Sequence, residues 1–445
     1  MEKKVKCRGR KCVFGLLCCF WVSCGFAQSS VRFYQLEELL QYAQKHSSVL
    51  VLNAKQRELA QLTTKTAVGN FINPRIPTVA SLIDNSKQPV SFIPAEVFGG
   101  PTGTFREITM GQQYVANFSL SPQFEVLNLG NYARIQSAKI NEKITETNAQ
   151  IVEKNLLDQV GAGYYNILGY KAQIKMLEQN KGRADSIVGI ITQRYQKGLV
   201  RVQDLNDAKV NSITIEDKIQ QLKVATLLQY AVLQVLCDTN DSLEIAAVLE
   251  DNTAFSGETN LTVRSDLLDR NASLQEQFLR AELRSIKWQQ LPTLSFVSNF
   301  AWQNNSNNRF FDPNTNLVTS SYWGLRIHWD LPTNVNKLSN YKSALLNAQL
   351  AEINRKHQQF QTLSGNRQLE LEYQKILGQY RNAKSMFRLK EENFEKSLNQ
   401  YNAGILAIDK LLLVHNELIM SESNLLSVLS AVFYAKARID IANRF

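Results

Sequence analysis

The sequence predicts an α+β membrane protein in which a β-barrel, closed by strands from several chains, continues into a long α-helical coiled-coil barrel. Three observations lead to this prediction. The chain opens with a secretory leader, its landmarks occur twice in the same order, and each half alternates long helical segments with segments of strand periodicity. The 445 residues are therefore expected to form two copies of one subdomain, rather than a series of globular domains.

Residues 1–27 have the three parts of a signal peptide. Basic residues precede an apolar core from Cys12 to Val22, and Gly25-Phe26-Ala27 forms a small-x-small cleavage site. Such a short apolar core cannot cross a bilayer as a helix, so the segment is not expected to remain as an anchor. A second possibility is a lipoprotein site at Cys24, which follows Val22-Ser23.

Charge and cysteine content argue against several classes of protein. Half of the net charge of +10 lies in the leader, and no basic run with interleaved aromatic residues follows it, so no nucleic-acid partner is expected. After cleavage at Ala27 only Cys237 remains of the six cysteines, which excludes an intrachain disulfide. The four histidines lack the spacing of metal ligands, and no phosphate-binding glycine loop occurs. We therefore expect neither an enzyme nor a bound metal or cofactor.

The chain contains an internal duplication of about 200 residues. Tyr195 and Gly198 return as Tyr401 and Gly404, 206 positions later. The pairs Asn131-Tyr132 and Asn340-Tyr341 match after 209 positions, and Pro77-Thr78 and Pro292-Thr293 match after 215. We assign repeat 1 to residues 28–238, a linker to 239–261 and repeat 2 to 262–445. Each repeat is predicted to contain a helix, two strands and a long helical hairpin.

Two segments have the composition of very long helices. They run from Gly130 to Lys197 and from Leu338 to Tyr401, with few helix breakers. Some 65 residues of helix would be about 100 Å long, which exceeds a globular diameter and requires neighbours along its length. The final helix carries two adjacent heptad columns, Leu411, Leu418, Leu425 and Val432 beside Leu412, Ile419, Leu426 and Phe433. Two columns indicate two neighbours, as in a closed ring of helices; the alternative is an amphipathic helix on one globular core.

Four segments alternate with the period of a β-strand. The clearest places four large apolar residues on one face, Trp323, Leu325, Ile327 and Trp329, and Gly324, Arg326, His328 and Asp330 on the other. This apolar-out, polar-in alternation is typical of a membrane barrel, and we predict that the four apolar residues face lipid. The other three segments are residues 79–84, 114–120 and 294–302. The polar connections between the strands are predicted to be exposed loops. Four strands cannot close a barrel, whereas several chains together could; the alternative is a half-buried sheet of a soluble protein.

The chain resembles the TolC-type family of outer-membrane efflux proteins. The resemblance rests on the doubled plan, the Pro-Thr strand entries, the Asn-Tyr strand exits and the Tyr-x-x-Gly turns given above. It implies a homotrimer whose twelve strands form one barrel in the lipid of the outer membrane, continuous with a helical tunnel that spans into the periplasm. It also implies two further partners, a periplasmic adaptor (membrane fusion) protein and an inner-membrane pump.

The resemblance also implies where the channel closes. In the family, an acidic residue about six positions beyond the turn glycine lies near the periplasmic mouth. The first tip fits, with Asp204 six positions beyond Gly198 and Asp207 one helical turn further; the second departs, with Asp409 and Lys410 at that place and Leu413 beyond. The residues predicted to form the gate and the adaptor-docking tips are Tyr195, Gly198, Asp204, Asp207, Tyr401, Gly404, Asp409 and Lys410.

The function implied by the resemblance is a passive exit duct that exports small molecules with energy from the inner-membrane pump. An exit duct for type I protein secretion would have the same architecture and stays open as an alternative. From a different class, an exported coiled-coil adhesin or scaffold without a pore would also explain the long helices. No pocket in the sequence pattern identifies the cargo.

Overall fold

The computed structural model describes residues 30–71, 73–250, 261–331 and 333–445. The predicted leader, the possible lipidation site at Cys24 and residues 251–260 of the predicted linker lie outside the described residues. The strands are β1 (Ser30–Phe33), β2 (Thr78–Asp84), β3 (Val90–Pro94), β4 (Phe105–Thr109), β5 (Tyr114–Leu120), β6 (Gln123–Leu127), β7 (Ser242–Ile245), β8 (Thr293–Ser306) and β9 (Leu317–His328). The helices are α1 (Leu36–His46), α2 (Ser48–Gly69), α3 (Leu129–Gln196), α4 (Val202–Cys237), α5 (Leu267–Trp288), α6 (Val335–Asn402) and α7 (Ile408–Ala442).

The two very long helices are confirmed. Helices α3 and α6 each contain 68 residues and each starts at an asparagine cap, where the side chain of Asn128 or Asn334 accepts a hydrogen bond from a backbone N–H of the first turn. Each long helix folds back on a shorter partner, α4 or α7, and α3 also packs along α5 and α7. The long helices are therefore supported from more than one side along much of their length, as such a length requires.

Both heptad columns of α7 lie in seams. Leu411, Leu418 and Val432 are almost completely buried, and the second column is buried at Leu412 and Ile419. Of the described helices, α7 alone combines the length and apolar character of a membrane span, judged by composition. Its packing against α3 and α6 makes it a bundle helix in this fold. Helices α3 and α4 approach each other closely at Gly163 of α3, because a Cβ atom there would lie only 2.8 Å from the side chain of Leu233.

The predicted strands form one antiparallel sheet in the order β2-β5-β8-β9. Helices connect to the sheet at one end, because α2 leads into β2, β6 into α3, α5 into β8 and β9 into α6. The opposite end carries the β2–β5 and β8–β9 connections. The sheet therefore has a helical end and a distal loop end.

Strand β6 was not expected from the sequence. It follows β5 after Ser121 and Pro122, and the two strands pair in succession with the same side of β8. Pro122 has no N–H to donate, yet its carbonyl oxygen accepts hydrogen bonds from the backbone N–H and Oγ of Ser298, at 2.9 and 3.0 Å. The proline interrupts the strand without ending its course along β8, so β5 and β6 count as one broken strand.

Two further elements differ from the prediction. The connection after β2, expected to be a polar exposed loop, contains the β3–β4 hairpin and a 3₁₀ turn, Ala95–Phe98. Strands β1 and β7 form a small parallel sheet that ties the start of the described chain to the segment after α4. Both strands are only four residues long and pair across some 210 positions, so no local period marks them.

Candidate functional site

The two helical tips are built by the same backbone motif. At the first tip the N–H of Gly198 donates to the carbonyl of Tyr195 at 2.8 Å, and the N–H of Leu199 donates to that of Arg194 at 2.9 Å. At the second tip Gly404 and Ile405 make the equivalent bonds, to Tyr401 and Gln400, at 3.0 and 2.9 Å. This is a Schellman motif, which needs a left-handed residue after the helix. Gly198 and Gly404 supply it, with φ of 73° and 77°.

Asp204 has a local role at the first tip. Its Oδ2 accepts a hydrogen bond from the backbone N–H of Arg201 at 3.0 Å, and the Arg201 guanidinium lies 3.4 Å from Oδ1. The carboxylate therefore caps the start of α4, where a negative charge is also favoured by the helix dipole. Lys410 occupies the matching position of α7 and cannot act as this acceptor. The two turns are alike in backbone, but only the first has an acidic cap.

Replacement of Asp204 by Ala should loosen the first turn of α4. Loss of such a cap costs about 1 kcal/mol, which corresponds to roughly fivefold faster local opening. Amide hydrogen exchange of the protein in detergent, followed by mass spectrometry, would measure this at residues 201–206. Asp207→Ala is the matched control, because Asp207 is exposed one turn further along α4. Equal protection in Asp204→Ala and the parent would contradict the capping role.

The two tip tyrosines lie in different environments. Tyr195 is 43% exposed, whereas Tyr401 is 4% exposed and belongs to the apolar cluster formed by the four hairpin helices, α3, α4, α6 and α7. The guanidinium of Arg194, from α3, lies over the Tyr401 ring at 4.6 Å from its centroid. Among the described residues no group donates to or accepts from the buried Tyr401 hydroxyl. The two repeats of one chain are therefore joined here through the face of the ring rather than through the hydroxyl.

A groove of about 590 Å³ lies between α4 and α7 next to the tips. Asp207 and Asp409 both line it, so the fold brings together one predicted acid from each repeat. Asn211 and Asn416 add amide groups, and Leu412 is among its apolar lining residues. Lys410 is exposed beside the groove and does not line it. The groove thus presents carboxylates at the place where the two hairpins of one chain meet.

The sequence pattern did not single out His415, a buried polar residue that lies between the two hairpins. His415 of α7 is fully buried, its ring stacks on Phe394 of α6 at 5.0 Å, and its Nδ1 lies 3.5 Å from the Asn211 amide of α4. Burial, with a smaller contribution from the Arg183 charge, lowers the pKa of His415 from 6.5 to about 4. A signal was present, because His415 lies four residues after Leu411 and three before Leu418, which places it in the heptad seam.

Acid should weaken the packing of the hairpins through His415. Because its folded pKa is lowered, its contribution to stability is complete above pH 6.5 and is lost as the pH falls toward about 4. The thermal midpoint of the parent should therefore fall over this range more than that of His415→Leu, which keeps the buried volume and cannot titrate. Identical acid dependence of the two proteins would contradict this assignment.

The register of the sheet extends the predicted alternation over several strands. Leu325 lies opposite Phe296, which in turn lies opposite Phe124, and these two phenyl rings stack at 5.0 Å. One residue away on the other face, Arg326 lies opposite Ser295, which in turn lies opposite Glu125. The apolar face is open in the single chain, with Leu325 67% exposed. That this face meets lipid remains a prediction.

The four predicted lipid-facing residues do not all lie in the strand. Trp323, Leu325 and Ile327 belong to β9, which ends at His328, and Trp329 follows it. The indole Nε1–H of Trp329 donates to the carbonyl oxygen of Gln290 at 3.0 Å. This bond holds Trp329 at the helical end of the sheet, where an amphipathic ring suits a membrane interface.

Within the described chain, strands β2 and β9 form the edges of the sheet, with one neighbour each. Their outer backbone N–H and C=O groups have no strand partner in a single copy. An open edge of this kind is costly in lipid and is removed only when the barrel closes.

Comparison with known proteins agrees with this geometry. Residues 98–236 match the family model described as outer membrane efflux protein. The fold is similar to the outer membrane protein VceC of Vibrio cholerae, with a TM-score of 0.74 and 15% identity over 92% of this chain and 95% of that one. It is also similar to the outer membrane channel CmeC of Campylobacter jejuni, with a TM-score of 0.71 and 14% identity over 92% and 85%. A comparison with curated protein sequences found no match.

Residues 98–236 are thus similar to the outer membrane efflux protein family, and the fold of the chain is that of outer-membrane proteins of known structure. The match over residues 98–236 agrees with the resemblance to the TolC-type family that the doubled motifs carry.

Proposed function

We propose that this protein is the passive exit duct of a tripartite efflux system and acts as a homotrimer gated at its helical tips. The observation that carries the proposal is the sheet with two open edges and two chemically different faces. Three copies would pair β9 of one chain with β2 of the next and close a barrel of twelve strands. The apolar face would then meet lipid and the polar face would line a wet lumen.

Exposed apolar side chains on the long helices support assembly. Helix α4 exposes Val210, Ile213 and Leu227, and helix α6 exposes Ile353 and Phe360, each by more than half of its surface. Apolar surface arranged along such long helices is unfavourable in water unless another chain covers it. Pairing of α4 or α6 with neighbouring copies would bury this surface and close the helical ring around the same axis as the barrel.

The tips are the proposed gate and adaptor-docking surface. Hairpin separation would have to break the Arg194–Tyr401 contact and open the groove that holds Asp207 and Asp409. The adaptor would dock on the hairpin ends around Gly198 and Gly404. The energy for transport would come from the inner-membrane pump, since a passive duct needs only to open and close.

The assembly can be tested on the purified protein. We expect a trimer in mild detergent by light scattering, and a band on denaturing gels that converts to the monomer position only on heating. The physical reason is that each chain leaves the β2 and β9 edges and the α4 and α6 faces uncovered. A stable monomer in light scattering would contradict the barrel.

The cargo separates the two transport alternatives. Deletion of the gene should raise susceptibility to small toxic compounds if the duct serves small-molecule efflux. A loss of specific proteins from the culture medium, with unchanged susceptibility, would instead indicate type I protein secretion. Single-channel recordings separate both from an adhesin or scaffold, which would not conduct.

A further inference from the structure

The apolar face of the sheet contains a recess of about 550 Å³ near its distal loop end. Its floor is one register row across all four strands, formed by Leu82, Ala116, Asn304 and Leu317. The small side chain of Ala116, only 5% exposed, leaves a depression between larger neighbours. The volume falls within the range of ligand-binding pockets.

Aromatic side chains form the walls. Phe118 and Trp302 lie side by side in the next row, with ring centroids 5.6 Å apart. Phe311 reaches the recess from the β8–β9 connection and has a φ of 54°, a left-handed conformation that is unfavourable for a bulky residue. Strain of this kind persists only where the surroundings impose it, and it occurs often at ligand-binding sites.

The β8–β9 connection is organised around the residue after Phe311. The carboxylate of buried Asp312 accepts hydrogen bonds from Ser306 Oγ at 2.8 Å, from the Asn314 backbone N–H at 3.0 Å and from Asn308 Nδ2 at 3.3 Å. These three hydrogen bonds hold the turn in which Phe311 adopts its left-handed conformation. The turn therefore sets the backbone position from which the Phe311 side chain reaches the recess.

One polar atom in the recess lacks a partner. Asn304 Nδ2 donates to Thr315 Oγ1 at 3.0 Å and to the Asp312 carbonyl oxygen at 3.5 Å. Asn304 Oδ1 is buried and, within the part of the chain that the structure describes, accepts from no group. A buried acceptor without a donor is uncommon, because its desolvation is not compensated. In a recess whose other lining residues are apolar except Ser81 and Asn117, it matches an apolar ligand that carries one N–H or O–H donor.

We propose that this recess binds one acyl chain of a membrane lipid, attached through an amide or carrying a hydroxyl group that donates to Asn304 Oδ1. The proposal rests on the proposed function, because it requires the apolar face to lie in the outer membrane. The recess continues the apolar surface of Trp302, Phe296 and Leu325, and its distal position corresponds to the leaflet away from the helices. A lipid acyl chain can therefore enter the recess directly from the surrounding bilayer.

Photolabelling of the trimer in phosphatidylcholine vesicles tests the proposal. Two trace probes carry the same diazirine-labelled acyl chain, one linked by an amide and the other by an ester. We expect the amide probe to label Ala116, Phe311 and Leu317 roughly 2- to 10-fold more than the ester probe, the range expected for one hydrogen bond. Asn304→Leu should remove this difference, and Phe311→Ala should reduce recess labelling by both probes, while Leu325→Phe, elsewhere on the apolar face, should change neither.

The outcomes distinguish this inference from the proposed function. Uniform labelling of the recess and of Leu325 and Ile327 by both probes would show ordinary boundary lipid and overturn the inference alone. Labelling of Leu325 and Ile327 with an unlabelled recess would also overturn it. If the whole apolar face stays unlabelled, the sheet does not lie in lipid and the proposed function fails as well. The recess labels are read from trimers that retain their heat-sensitive band, so misfolded variants do not contribute.

Discussion

Replacement of Leu325 by Arg is expected to abolish or strongly reduce insertion of the channel into the outer membrane. A charged side chain on the lipid face costs roughly 2–4 kcal/mol at the bilayer midplane, and a trimer carries the change three times. Leu325 is opposite Phe296 in the apolar face and is widely exposed in the single chain. The quantity of heat-sensitive trimer in isolated outer membranes measures the effect.

Gly324 provides the matched control for Leu325. It is the adjacent residue of β9, lies opposite Val297 on the other face, and has open space where a Cβ atom would be placed. Gly324→Arg should therefore insert close to normally and change mainly the conductance and ion selectivity of the pore. Equal insertion defects in the two variants would show that the faces are assigned incorrectly.

Truncation of Tyr401 to Ala is expected to raise the resting conductance of the channel. Loss of a buried aromatic side chain costs roughly 3–5 kcal/mol in packing, and the contact with Arg194 adds roughly 0.5–2 kcal/mol. Because Tyr401 packs in the cluster that joins both hairpins at the tip, this loss should favour their separation. Single-channel recording in planar bilayers at low voltage measures the result.

Tyr401→Phe separates the ring from the hydroxyl. Since no described group bonds to the buried hydroxyl, its removal should leave conductance near that of the parent. Arg194→Gln should have an intermediate effect, because it removes only the charge over the ring. A large rise in conductance in Tyr401→Phe would instead show that the hydroxyl takes part in holding the gate closed. Parent-like conductance in Tyr401→Ala would place the gate elsewhere.

Local patterns in the sequence determined much of this protein. The Tyr-x-x-Gly motif recurs after 206 residues, which predicted two equivalent tips. Both tips have the same Schellman hydrogen bonds. The heptad columns of α7 predicted two seams, and the period of two in β9 predicted which of its residues share a face with Phe296. These features follow from residue spacing along one element, which a linear sequence records completely.

Only the tertiary structure decided features that depend on a distant neighbour. Tyr195 and Tyr401 occupy the same motif, yet one is exposed and the other lies beneath Arg194, because only the second faces the cluster of all four long helices. Strands β1 and β7 exist through their pairing with each other. The recess likewise needs Ala116, Asn304 and Phe311 to meet across three segments of chain. Burial and hydrogen bonding depend on which surfaces come together in space, and residue spacing within one segment does not specify this.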